Sequence, residues 1–475
     1  MPDVRTHGHL IGDRWVVGNG SAPVRDKFTG EVVGSVAAAR ADDVRAAVDA
    51  AAHAFATIPF PPAARYAVLS RAAATVRERA DEFARIMIAE TGFTWKDVRG
   101  DITRALQTLQ LSAEEAKRIG GEVLPIESAP GFEHALAFTL RVPLGVVCAI
   151  TPFNSPLNTV CHKIAPALAA GNAVVLKPAT PTPLTAIRLA ECLLEAGLPP
   201  GYLNLITGSG GQVGQWLVDD ARIRFVTFTG STSVGEAIQA RIGLRRSCME
   251  LGNISGTIVC ADADLDRAVP LIVGGAFRKA GQVCTSVQRL FVERTIEGEF
   301  VDRLRRATAT LRHGNPWEPE TDVGPLISLD EAVRADAWVR QAVDRGAAVV
   351  HGGRRTDAVL EPTILADVPA DAQVVCEEIF APVVSIVPVA DFDEAVDLIN
   401  ATPYGLQAGV FTRDLDRALR AARTLAVGGV IINATSSTRA DLMPYGGTKR
   451  SGFGREGPRY AVEEMTEIRT VVFYR

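Results

Sequence analysis

Gly171-Asn172-Ala173-Val174-Val175-Leu176-Lys177-Pro178 is the stretch from which the fold is read. It has the form of a buried strand that ends in a cation, and sheets of the α/β type bind ligands at the carboxyl ends of their strands. Lys177 in that place could hold a ribose or a phosphate. Taken alone it reads equally as a lysine snorkelling from a strand end.

The flanking sequence extends the pattern in both directions. A strand is expected over 145–150 and a helix over about 158–170. After the quoted run come a helix over 184–196 and strands over 202–207 and 224–228. Strand, helix, strand in succession implies a parallel sheet. A second series follows Glu250, with strands near 257–260, 289–292, 383–388 and 428–433 and helices such as 298–311 between them. Two α/β lobes side by side create a cleft. Nearer the start, Val44, Ala47, Val48, Ala51 and Phe55 recur at helical spacing behind Asp42, read as a helix cap. The final 469–474 alternates like an edge strand, whose free apolar edge is normally covered; a partner subunit is one candidate.

At 475 residues, 47% hydrophobic, the chain exceeds what one core organises, so two or more domains are expected. With 50 basic against 55 acidic residues and no Lys/Arg run, nucleic-acid binding is not expected. Apolar stretches such as 142–150 are too short to cross a bilayer, and Met1–Arg5 lacks a leader pattern, so the reading is cytoplasmic with no membrane partner. Seven cysteines, odd in number and without Cys-x-x-Cys, argue against a disulfide framework and a structural zinc site, and no metal is expected.

Four local features carry possible chemistry. Cys284, in Gly281-Gln282-Val283-Cys284-Thr285-Ser286, follows a glycine that permits tight backbone approach, consistent with an exposed turn before a strand. A free thiol titrates at about 8.5, so attack at neutral pH needs a base or a positive field. Glu250, in Met249-Glu250-Leu251-Gly252, is the natural base, although a strand-end Glu also reads as solvated surface. Asn154 lies in the proline-fixed loop Thr151-Pro152-Phe153-Asn154-Ser155-Pro156, and a side-chain amide can stabilise an oxyanion, or simply make a turn. Finally, Thr229-Gly230-Ser231-Thr232 runs from a strand into a helix whose amides could meet a pyrophosphate, while Gly208-Ser209-Gly210-Gly211-Gln212-Val213-Gly214 fails Gly-x-Gly-x-x-Gly at Val213.

In chain order the fragments are Pro-Phe-Asn-x-Pro, Gly-Asn-x-Val-Val-Leu-Lys-Pro, Phe-Thr-Gly-Ser, Glu-Leu-Gly, Gly-Gln-x-Cys, Glu-Glu-Ile-Phe-x-Pro-Val and Pro444-Tyr445-Gly446-Gly447-Thr448-Lys449-Arg450-Ser451-Gly452. That ordered set resembles the aldehyde dehydrogenase superfamily over nearly the whole chain. The resemblance implies an atypical Rossmann cofactor domain (1–124 and 144–252), an α/β catalytic domain (253–460) and a small β oligomerisation extension (125–143 and 461–475), assembled as a homodimer or homotetramer. It makes Cys284 the nucleophile of a thiohemiacetal, Asn154 with the Cys284 N–H the oxyanion holder, and Glu250 the base that hydrolyses the thioacyl intermediate to a free acid. NAD or NADP would lie along Lys177, Thr180, Phe153, Gly230, Ser231, Glu378 and Phe380. The alternatives are acyl transfer to coenzyme A and a catalytically silent structural member of the fold.

Three departures from the common family pattern stand out. Thr180 replaces a Glu that would receive a ribose hydroxyl and repel a 2′-phosphate, which opens the site to NADP. Asn253 stands where Gly is usual and is expected to tolerate an unusual backbone angle; Ala381 also replaces Gly, its β-carbon bearing on Phe380. Within the superfamily, 283–289 and 455–460 resemble the branch of lactaldehyde, phosphonoacetaldehyde and non-phosphorylating glyceraldehyde-3-phosphate dehydrogenases, whose aldehydes are small and polar. The resemblance puts Arg104, His162 and Arg439 along the substrate tunnel, where Arg suits a carboxylate or phosphonate. Val283, where phosphate-gripping members often carry Arg, points away from a phosphorylated substrate.

Overall fold

A computed structural model describes residues 6–18 and 20–474; the Met1–Arg5 stretch read above for a leader lies outside them. The quoted run forms the strand Ala173–Lys177, buried along its whole length. It pairs in parallel with Val146–Ile150 on one side and Leu203–Leu205 on the other. Ile223–Thr229 and Arg246–Glu250 continue the parallel order beyond Val146–Ile150. Antiparallel strands close both ends of this eight-stranded sheet, His9–Ile11 with Arg14–Val16 at one and Gly452–Phe453 at the other. Chain order therefore reverses between Val146–Ile150 and Ile223–Thr229, and a crevice opens at their carboxyl ends.

The second series forms a seven-stranded sheet in the order Ala348–His351, Thr363–Ala366, Val383–Val389, Arg289–Glu293, Gly256–Val259, Gln407–Phe411 and Gly429–Ile432, parallel except for the first strand. Helices such as Asn158–Ala170 and Leu184–Glu195 cover the first sheet, and Leu265–Phe277 and Glu297–Thr308 pack beside the second. The early helix spans Ala41–Thr57, but Asp42 is not its cap. Arg40 holds the cap position, and Asp43 one turn in accepts the Arg40 backbone N–H at 2.8 Å. An acid there also suits the helix dipole.

The terminal strand is longer than its alternation signalled, Thr466–Tyr474, because it pairs antiparallel with Ala135–Pro143 over nine residues. Leu136, Leu140, Ile468, Val472 and Phe473 remain exposed on this ribbon. No helix among the described residues is long and apolar enough to cross a membrane.

Candidate active site

The crevice at the strand reversal is a cavity of about 800 Å³. Lys177, Thr180, Phe153, Gly230 and Ser231 line it, as do Glu378 and Phe380, and the same wall includes Asn154, Glu250 and Cys284. Several sit where a strand stops, whereas Cys284, Glu378 and Phe380 precede strands of the second sheet. Lys177 ends one strand, Phe153 and Asn154 follow Ile150, and Gly230 and Ser231 lead into the helix Thr232–Ile242, with Ser231 at its cap. The cluster 208–214 is likewise more than a turn, since the helix Gly210–Asp219 begins inside it.

The residues present fit a dinucleotide. Lys177 is buried with one acceptor, the Pro178 carbonyl at 2.9 Å, and burial brings its ammonium down to about 8. Glu378 accepts the Asn253 N–H at 3.1 Å, and burial pushes its carboxyl up to about 7. Gly252 lies close beside it: a β-carbon there would stand 2.9 Å from Glu378 Oε2, so that carboxyl would have to shift. Phe380 is left-handed (φ 51°) and meets the Phe153 ring edge-on at 5.8 Å. Ala381 is buried with Ile379 and Val383. Asn253 does not use the left-handed freedom expected of it; its side chain instead bonds Ser255 Oγ and accepts the Leu406 N–H at 3.4 Å. Thr180 gives its hydroxyl to the Gly208 carbonyl at 3.1 Å.

Cys284 follows a backbone turn of unusual shape. Lys279, Ala280 and Gly281 are consecutively left-handed (φ 53°, 53° and 69°). Two non-glycine residues in that region cost roughly 1–3 kcal/mol each and persist only where surroundings enforce them. Here Lys279 Nζ donates to Asp101 Oδ1 and to the Asn154 carbonyl, both at 2.9 Å, and its backbone N–H reaches Asp97 at 3.1 Å. One lysine thereby ties the Cys284 turn to the Asn154 loop. Asn154 Nδ2 donates to the Gln282 carbonyl at 2.9 Å, which brings the amide beside the Cys284 backbone. Cys284 is half-buried rather than on an exposed turn, with Sγ 3.0 Å from Tyr445 Oη. Burial pushes its thiol up to about 11, against the Tyr445 hydrogen bond and with Glu378 and Glu250 adding to the rise.

Glu250 is not solvated surface. It ends its strand only 3% exposed, and neither carboxylate oxygen has a hydrogen-bond partner among the described residues. Burial, and next the negative Glu456, raise its carboxyl well above the usual range. Glu456 stays charged: burial opposes it, but Lys163 Nζ at 3.0 Å and Arg439 Nη2 at 3.0 Å hold its carboxyl low. Lys163, Glu456 and Tyr445 escaped the sequence reading because only tertiary contact assembles them.

On the other side of Cys284 a small pocket bounded by Arg104, Asn158, Arg278, Arg439 and Tyr445 adjoins an outer cavity of about 480 Å³ that shares Arg104 and Arg278. Arg104 and Arg439 are in this wall, yet their charges are committed. Arg104 makes a two-pronged pair with Asp441 at 2.7 and 3.1 Å, and Arg439 pairs with Glu456. His162 stands back from this wall: it is 1% exposed, bonds Asp441 at 2.8 Å and lines neither of these two cavities. Arg278 was missed. Its guanidinium bonds only Ser437, at 2.9 and 3.1 Å to Oγ and 3.2 Å to the carbonyl, and no ion pair ties it among the described residues. Burial and then the adjacent Arg104 disfavour its charge. The one signal in the sequence is a basic pair, Arg278-Lys279, just ahead of the glycine that sets the cysteine's turn.

The aldehyde dehydrogenase family model matches residues 15–471. The 3-sulfolactaldehyde dehydrogenase of Priestia aryabhattai is 48% identical over 99% of both chains. The lactaldehyde dehydrogenase of Methanocaldococcus jannaschii is 38% identical over 98% of this chain and 99% of its own. Among solved structures, aldehyde dehydrogenase 21 from Physcomitrella patens, in complex with the product succinate, superimposes with a TM-score of 0.96 at 38% identity over 99% of both chains. The glyceraldehyde-3-phosphate dehydrogenase GapN of Methanocaldococcus jannaschii, complexed with NADP, does so with a TM-score of 0.93 at 38% identity over 96% of this chain and 100% of its own. A thiol, a buried carboxylate and a dinucleotide groove on this fold thus have one reading: the chain belongs to the aldehyde dehydrogenase family and oxidises a small aldehyde with NAD or NADP as acceptor.

Proposed function

We propose that the aldehyde is a short hydroxyaldehyde with a strongly acidic head group, a sulfonate such as 3-sulfolactaldehyde, and that the product is the free carboxylic acid. The observation that carries this is Arg278, a cation in the substrate pocket with no direct ion pair among the described residues, where Asp97 acts on it only at longer range, beside a second guanidinium. A half-buried cation in that state favours an anion. Val283 before the nucleophile supplies no further cation for a dianionic phosphate, whereas a sulfonate carries one charge.

Lys177, Thr180, Gly230 and Ser231 would hold the adenosine and pyrophosphate, and Glu378, Phe380 and Phe153 the nicotinamide half. The bound cofactor supplies the hydride acceptor. Sγ of Cys284 attacks the carbonyl carbon, while the Asn154 amide and the Cys284 N–H receive the developing oxyanion. After oxidation, Glu250 in its carboxylate form takes a proton from water, which attacks the thioacyl carbon and releases the acid. A base buried beside the thioester supports hydrolysis over transfer to coenzyme A, so product should form without that thiol. Arg104 and Arg439 shape the tunnel through Asp441 and Glu456. The apolar ribbon of 135–143 and 466–474 supports a homodimer or homotetramer, and the reading remains cytoplasmic.

Arg278→Leu tests the substrate. Loss of a charge-assisted bond costs about 1.5–3 kcal/mol, so kcat/KM for 3-sulfolactaldehyde should fall roughly tenfold to a hundredfold, with lactaldehyde little changed. An equal loss on both aldehydes would reject the anionic reading in favour of a neutral hydroxyaldehyde.

A further inference from the structure

The nucleophilic sulfur has a side-chain partner that none of the expected roles includes. Tyr445 Oη lies 3.0 Å from Cys284 Sγ, and Tyr445 is only 3% exposed. Its position is fixed from two directions. The backbone N–H of Tyr445 donates to the Glu456 carbonyl at 3.0 Å, and the Tyr445 carbonyl accepts the Glu456 N–H at 2.7 Å. The Arg439 guanidinium lies over its ring, 3.7 Å from the centroid, while bound to Glu456 Oε2. A cation on the ring face withdraws electron density and makes the phenolic O–H a stronger donor.

We propose that Tyr445 is a catalytic hydrogen-bond donor to Cys284, its phenolic O–H holding the sulfur as thiolate and Arg439 strengthening that donor from the ring face. Burial and two acids oppose a thiolate here, while the Arg439 and Arg278 charges favour it. The site is buried, and the carboxyl groups of Glu250 and Glu378 both bear on the sulfur unfavourably when ionised. Sulfur carries negative charge only until it bonds the carbonyl carbon; in the thiohemiacetal it is a thioether and a weak acceptor. The donor therefore favours the thiolate over the adduct. Removing it has two opposed effects: fewer sulfurs are ionised, and each thiolate is more nucleophilic.

This inference rests on Cys284 being the nucleophile, and it is tested without turnover. The probe is iodoacetamide, with alkylation of the Cys284 peptide followed by mass spectrometry across pH 6–10, because the exposed Cys376 would be alkylated too. In Tyr445→Phe the thiolate fraction at each pH of this range should fall about tenfold to a hundredfold, equivalent to a midpoint about one to two pH units higher. Reactivity per thiolate should rise about threefold per unit, so the rate at pH 8 should fall roughly threefold to tenfold. Replacing Tyr445 with a monofluorinated tyrosine keeps the shape and strengthens the donor, so the rate at pH 8 should rise. Unchanged alkylation in Tyr445→Phe, or no rise with the fluorinated ring, overturns the proposal. A Cys284→Ala enzyme that still turns over would instead reject the nucleophile itself.

Discussion

Gly281→Ala perturbs the turn that positions Cys284, the proposed nucleophile, and the structure sets the size of the effect. Gly281 is left-handed (φ 69°), a region that costs a β-carbon-bearing residue about 1–2 kcal/mol. Space is the larger obstacle. A β-carbon there would stand 2.8 Å from Pro382 N and closer still to the Ala381 carbonyl, both backbone atoms that cannot rotate aside. Ordinary carbon–oxygen contact needs about 3.3 Å, so the Gly281 or the Ala381 backbone must move by on the order of 1 Å. Cys284 lies three residues beyond one of these segments, and Phe380 adjoins the other. A misplacement of about 1 Å at reacting groups lowers rates about a hundredfold, equivalent to about 2.7 kcal/mol. The expected result is a folded enzyme with a lowered Tm and kcat down about a hundredfold, with dinucleotide affinity, read by fluorescence titration, changed much less. Retention of more than half of wild-type kcat would refute the argument that this contact positions the thiol.

Glu250→Gln should leave a burst of one reduced cofactor per active site while steady turnover falls about 10²- to 10⁴-fold, measured by stopped-flow absorbance; undiminished steady turnover rejects Glu250 as base. Because burial and Glu456 raise the Glu250 carboxyl, its basic form appears only as pH increases, and hydrolytic turnover should climb with pH. Glu456→Gln removes the negative neighbour, so Glu250 should ionise earlier and the acid limb of the pH–kcat profile move to lower pH; a move to higher pH contradicts the electrostatics. Thr180→Glu restores a carboxylate opposite a 2′-phosphate and should shift the NAD to NADP ratio of kcat/KM towards NAD by tenfold or more, whereas a wild-type enzyme already tenfold better with NAD would refute the role given to Thr180.

The sequence by itself determined the order of strands and helices, because apolar runs such as Ala173–Leu176 and the helical spacing from Val44 to Phe55 are local patterns set by which face must be buried. Ordered motifs also sufficed to single out Cys284, Glu250, Asn154 and the groove residues, which the structure gathers around one cavity. Boundaries set by pairing or capping were less legible: Thr466–Tyr474 is as long as its partner strand, and the first helix is capped around Arg40 and Asp43 rather than Asp42. Charge state was not legible at all. Arg104, Arg278 and Arg439 are the same letter in sequence, yet two are bound to buried carboxylates from distant segments and one is not. His162 likewise became a support for Asp441 rather than a tunnel wall. Only the tertiary structure brought Tyr445 to the sulfur and left Glu250 buried without a hydrogen-bond partner among the described residues, because desolvation and pairing depend on which distant residues come within a few ångströms, and no local pattern encodes that.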